Sequence, residues 1–213
     1  MVLVPLRLTT WSNNVVSSYT RLSPGILILG GEHTSNYQSV EFWSAADLDE
    51  GSCVLDDYPV VLRHGPTATF VSGRVVACYK KNCDIYQGGS WQHLQRTIDF
   101  RYGHSSARTE GAVLLIGGSL SSSTEWIPVD GSPSQPGPFT VRHGKDHCTM
   151  QISDNTIVVT GGANTRDLVT RYDLADGKET PLTPLVQPRT GHACSVYMDF
   201  DGQQVSNGLC SCL

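Results

Sequence analysis

Charge is scarce in this chain. Asp, Glu, Lys and Arg make up 16% of its 213 residues, against roughly 25% in ordinary soluble domains. The net charge is −5, and the one adjacent basic pair of note is Lys80-Lys81. Phosphate binding draws on clustered Lys and Arg, so no nucleic-acid partner is expected. No run of 18 apolar residues occurs, which leaves no candidate for a membrane-spanning helix and no expected membrane partner. Helical periodicity over 11 or more residues is also missing, so helix should be scarce. The opening residues 1–7 are apolar but short and broken by Pro5 and Arg7, unlike the apolar stretch of a signal peptide. No Asn-x-Ser/Thr sequon is present, which counts against a glycosylated extracellular protein. Gly-x-Ser-x-Gly, P-loop and Gly-x-Gly-x-x-Gly motifs are missing as well, so no nucleophile elbow or phosphate cradle can be named.

Cysteine and glycine, by contrast, are plentiful. Seven cysteines leave at least one unpaired within the chain. Cys78 and Cys83 flank an expected β-hairpin turn, and their spacing allows a disulfide; buried free thiols are the alternative reading. Cytoplasmic and secreted locations both stay open. The 21 glycines are not scattered at random. A doubled glycine returns behind a short apolar run: residues 26–29 before Gly30 and Gly31, 113–116 before Gly117 and Gly118, and 157–160 before Gly161 and Gly162. Gly31 and Gly118 are 87 residues apart, and Gly118 and Gly162 are 44 apart. One degraded copy, Val75 to Tyr79, fills the gap. A second marker keeps the same time. His64, His104, His147 and His192 follow one another at 40, 43 and 45 residues. A period in the forties marks a repeat architecture.

Each repeat reads as four short strands. In the third they fall at 104–108, 112–116, 124–128 and 139–141, and in the fourth at 148–152, 156–160, 168–174 and within 178–185. The first repeat offers 15–20, 39–43 and 53–55 around its glycine strand. The second places a third strand at 84–86 and a fourth near Trp91. A fifth opens with a strand at 192–197. The hairpin turns carry the residues such turns demand, as in Asp154-Asn155 and Thr109-Glu110-Gly111.

These residues resemble the kelch family. The matches are Arg101-Tyr-Gly-His104 with Gly117-Gly118 and Trp126, His147 with Gly161-Gly162 and Tyr172, and Arg189-Thr-Gly-His192. The resemblance runs over roughly residues 14–205. It implies an all-β, kelch-type β-propeller, one four-stranded blade per repeat around a central channel. Blades are expected at about 14–58, 59–98, 99–141 and 142–187, with a partial fifth at 188–205. Residues 1–13 would be an N-terminal extension and 206–213 an off-pattern tail. Four blades and a fraction imply an open or partial ring, and the chain is expected to be a fragment or truncated member. The resemblance also implies that the glycine pair ends the strand nearest the channel. It assigns Gly30, Gly31, Gly117, Gly118, Gly161, Gly162, His64, His104, His147 and His192 to the scaffold.

The function implied is protein binding by loops on a stiff frame, with no catalytic residue, metal or cofactor expected. The loops behind the glycine pairs are the candidates, and Tyr37, Lys80, Lys81 and Arg166 are their most contact-like residues. His143 and His147 lie four apart with Asp146 and Cys148 beside them, but a loop at a strand opening explains them better than a metal site. Two alternatives remain. One is an incomplete propeller enzyme of the galactose-oxidase type, which needs converging His, Tyr and Cys. The other is a non-functional propeller fragment.

Overall fold

Apolar runs of four or five residues, each bounded by turn residues, favour strands buried on both faces. The computed structural model bears this out for residues 18–22, 25–30, 38–44, 52–62 and 65–196, which are those the structure describes. They form four antiparallel sheets, with no helix among them. Sheet one holds β1 (Ser18–Leu22), β2 (Gly25–Leu29), β3 (Val40–Ser44) and β4 (Ser52–Val54). Sheet two holds β5 (Thr67–Val71), β6 (Arg74–Gln87) and β7 (Ser90–Arg101). Sheet three holds β8 (Ser105–Thr109), β9 (Ala112–Ile116), β10 (Ser123–Pro128) and β11 (Gln135–Thr140). Sheet four holds β12 (Cys148–Ser153), β13 (Thr156–Thr160), β14 (Val169–Asp173) and β15 (Glu179–Pro181). In every sheet, spatial order follows chain order.

Sheet two departs from the expected four strands. β6 is assigned as one strand of 14 residues, yet the Cα atoms of Cys78 and Cys83 lie 4.1 Å apart. Five residues of extended strand would separate them by about 17 Å. The chain therefore doubles back between them. Residues 74–78 pair with β5, and residues 82–87 pair with β7. Lys80 takes the positive φ of 57° that the reversal needs, a conformation costing a non-glycine residue about 1–2 kcal/mol. A Cys78–Cys83 disulfide closes the hairpin. The repeat that lost its glycine pair has a crosslinked turn in the same place.

The core lies between sheets, in three clusters. In β9, Val113 and Leu115 face sheet two, joining Val76 and Ile85. Leu114 and Ile116 face sheet four, joining Ile157, Val159 and Tyr172. Strand alternation sends odd and even residues to opposite sides, so a strand between two neighbouring sheets buries both sets, and in β9 both are aliphatic. The same holds in β6, where Val75 and Ala77 face sheet one with Leu27, Leu29 and Val40, while Val76 and Cys78 face sheet three. Burying each such Leu or Ile contributes about 1.5–3 kcal/mol.

The strands that meet from sheet to sheet are the first ones. β1 lies against β5, β5 against β8, and β8 against β12. The glycine-pair strands, expected to lie nearest the channel, are not the ones that meet from sheet to sheet. The first strands carry small polar residues that join across the junctions. Thr69 and Ser106 hydroxyls are 2.6 Å apart, and so are those of Ser105 and Thr149. Gln151 pairs with the backbone of Arg108 through both ends of its amide, at 2.8 and 3.1 Å. The strand expected from His192 does not form over residues 192–196. That segment is held instead by a Cys148–Cys194 disulfide.

Candidate binding surface

An antiparallel meander places its first and third turns at one end and its second turn and outgoing connection at the other. The glycine pairs, which precede the second turn, thus share an end with the connections between sheets. Backbone hydrogen bonds weave these segments together. Ser119 N donates to Tyr102 O, Asp146 N to Gly103 O, Asn164 N to His143 O, and Gly191 N to Asp146 O. The first and third of these bonds tie a loop to the connection entering its own repeat, and the other two run between adjacent repeats.

The glycine pairs make the close approach feasible. A Cβ on Gly117 would stand 2.6 Å from Val141 Cγ2 and 3.2 Å from His147 Cε1. On Gly161 it would meet Arg189 O at 2.5 Å and His192 Cε1 at 2.6 Å. In the two described pairs the second glycine faces the histidine of its own repeat: a Cβ on Gly118 would stand 3.3 Å from His104 Cβ, and one on Gly162 would stand 3.0 Å from His147 Cβ. His147 thus spans two glycine pairs, that of the preceding repeat and that of its own, whereas His104 meets only the pair of its own repeat and His192 only that of the preceding one. The phased signatures are two halves of one contact.

The histidines are fixed by hydrogen bonds as well. His147 Nδ1 donates to Gly144 O at 2.7 Å, so its Nε2 accepts from Ser105 Oγ at 2.7 Å. His143 Nδ1 donates to Gly161 O at 2.8 Å, and its Nε2 accepts from Thr170 Oγ1. His104 Nε2 meets Thr67 Oγ1 at 3.3 Å, and His192 Nε2 meets Thr160 Oγ1 at 2.8 Å. Burial holds His147 well below the ordinary imidazole range, at about 4, and His104 at about 3, with Arg101 adding to the latter. Burial also lowers His143 and His192. His104, His147 and His192 each hydrogen-bond across a different junction, while His143 bonds within its own repeat, its ring centre 6.1 Å from that of His147. Among the described residues no group of three or more His, Cys, Asp or Glu could hold a metal.

In the sequence Arg101 stands only as the first residue of the Arg-x-x-His opening, which does not give its role. Its side chain is fully buried. It donates to Gly117 O at 3.1 Å, to Ser123 O at 2.6 Å and to Glu125 Oε2 at 3.2 Å. Asp99 accepts from Ser121 Oγ at 2.7 Å and Ser123 Oγ at 2.6 Å, and these bonds hold its carboxyl below the usual range. Together Arg101 and Asp99 clamp the loop behind Gly118. The Arg-x-x-His opening was the signal available in the sequence. Asp99, Ser123 and Glu125 carried none.

The expected contact residues fall on this end where they can be seen. Lys80 and Lys81 cap the crosslinked hairpin and are half-buried, with Lys80 Nζ 4.9 Å from the centre of the Tyr79 ring. Arg166 is exposed in the loop of sheet four, where its carbonyl accepts from Arg189 N at 2.6 Å. Tyr37, Gly31 and His64 lie outside the described residues, as do residues 1–13 and 206–213. A cavity of about 250 Å³ opens among the loops, lined by Ser119, Leu120, Ser122, Gly144 and Asn164. A larger one of about 650 Å³ lies at the opposite end, between Arg108, Glu110, Trp126 and Asp154.

This arrangement has a counterpart among solved structures. The fold is similar to that in the structure titled "Structure of YjhT". The two share a TM-score of 0.72 and 12% identity, over 85% of this chain and 69% of that one. At that identity the likeness concerns the fold alone. No protein-family model and no curated protein matches the chain.

Proposed function

We propose that the chain is a kelch-type β-propeller module, four blades and part of a fifth, that binds a protein partner through its glycine-pair loops. The observation that carries this reading is the brace at that end. Glycine pairs, repeat histidines and the Arg101–Asp99 clamp fix the loops in place. Loops fixed in advance lose little conformational freedom on binding. The similarity to the YjhT structure supports the fold half of the reading. The Cys78–Cys83 and Cys148–Cys194 disulfides favour an oxidising compartment over the cytoplasm.

The test is a cross-linking map of a captured partner on the whole chain. Cross-links should fall on residues 80–82, 119–123 and 163–167. A map centred on turns 109–111 and 154–155 would refute the assignment of the surface. Copper content after purification checks the galactose-oxidase-type alternative, which needs stoichiometric metal.

A further inference from the structure

We infer that the glycine-pair end recognises an acidic protein segment, one acidic side chain of which enters the small cavity beside Ser119. The inference rests on the binding-module reading and adds the chemistry of the partner.

The chain is acidic as a whole, at −5, but its charges are not evenly shared between its ends. Across sheets two to four, the glycine-pair end carries Lys80, Lys81, Arg142, Lys145, Arg166 and Arg189. The carboxylates there are Asp99, Asp146 and Asp167. Asp99 is already occupied by Ser121, Ser123 and Arg101. Among the described residues, Lys145 with Asp146 at 3.8 Å is the one ion pair involving these six cations. The opposite end has the reverse balance. Glu110, Asp130, Asp154, Asp173, Asp176 and Glu179 stand there against Arg74, Arg108 and Lys178. A protein of net negative charge that gathers cations on one end presents a complementary field to an anionic partner.

The cavity narrows the choice. At about 250 Å³ it falls below the range of sites for whole small ligands, roughly 300–1,000 Å³, and is sized for a side chain. Ser119 lines it, and its hydroxyl is buried with no hydrogen-bond partner. An unpaired buried hydroxyl is costly, and an incoming carboxylate would accept from it. Leu120, 70% exposed on the rim, offers an apolar contact beside it. Nucleic acid fits less well, because three carboxylates are interspersed among the cations and would repel a continuous phosphate backbone.

The experiment uses the full chain and a fluorescent 12-residue peptide of alternating Glu and Leu. A Lys/Leu peptide and a 12-nucleotide single-stranded DNA serve as controls. Binding of the acidic peptide alone is expected, weakening with salt. Arg142→Glu/Lys145→Glu/Arg166→Glu should weaken it by at least about tenfold, whereas Arg74→Glu/Lys178→Glu at the far end should leave it within about twofold. The milder Arg142→Gln/Lys145→Gln/Arg166→Gln set guards against misfolding, with intermediate loss expected. Ser119→Ala should weaken binding without altering the salt slope. Equal or tighter binding of the DNA, equal loss in the far-end variant, or no binding of the acidic peptide would each overturn the inference. A captured protein partner that cross-links to residues 119–123 yet tolerates the charge reversals would overturn it while leaving the binding-module reading intact.

Discussion

The imidazole of His147 lies on Gly117 of the preceding repeat, so close that a Cβ on that glycine would come within 3.2 Å of its Cε1. The same ring is tied to Gly144 and Ser105. His192 stands in the same relation to Gly161. The contact joins sheet three to sheet four and ties sheet four to the segment that follows it.

Glycine substitutions should separate this contact from mere turn chemistry. Gly161→Ala meets backbone, with Arg189 O at 2.5 Å, and has a φ of +62°. Gly111→Ala has a similar φ of +74° but nothing within 4 Å. Gly111→Ala should therefore cost about 1–2 kcal/mol of strain. Gly161→Ala should cost more, with overpacking adding about 1–3 kcal/mol. Urea melts of both variants check the difference. Equal losses would mean that the glycine pair serves conformation alone.

Acid should loosen the junctions. Burial pushes the imidazoles of His147 and His104 down to about 4 and about 3, below the ordinary imidazole pKa. The unfolded chain thus binds protons more readily. The stability that comes from keeping these rings neutral is complete above pH 6.5 and is lost as pH falls toward 4. The slope is at most about 1.4 kcal/mol per histidine per pH unit. Melting temperatures between pH 7.5 and 4.5 should fall, and His147→Gln should flatten the profile. A profile unchanged by the substitution would contradict the assignment.

Removing Arg101 should be among the most damaging single changes. Arg101→Met leaves Glu125, itself buried, without its cation. Breaking such a pair on one side typically costs about 3–5 kcal/mol. Arg101→Met/Glu125→Gln should recover part of that loss. If the double variant is no more stable than the single one in a denaturant titration, the ion pair is not the source of the cost.

Much of this was legible in the residues. The apolar runs within 112–116 and 156–160 mark β9 and β13 to the residue, because their central residues are buried on both faces of the strand and are all aliphatic. Other features were hidden for physical reasons. The strands that meet between sheets look unremarkable in sequence, since Ser105, Ser106 and Thr149 meet partners on other sheets. The Cys148–Cys194 link spans 46 residues, about one repeat. Equivalent positions of adjacent repeats lie side by side, so a spacing of one repeat is the signal of this link in the sequence. The network of Asp99, Ser123 and Glu125 left no pattern at all.

Reduction should expose the weight of that link. By chain entropy a crosslink of this span stabilises by about 4 kcal/mol, and the short Cys78–Cys83 loop by about 2 kcal/mol. Cys148→Ser/Cys194→Ser should lower the melting point more than Cys78→Ser/Cys83→Ser does. The reverse order would show that the turn at Lys80, not the bridge to residue 194, is the weaker point of the array.

Hydrogen exchange of the whole chain, with and without the acidic Glu/Leu peptide, tests the assigned surface most directly. The account predicts slowed exchange at residues 119–123 and 163–167, with turns 109–111 and 154–155 unchanged. Protection at those turns, around the 650 Å³ cavity, would place binding at the opposite end and contradict it.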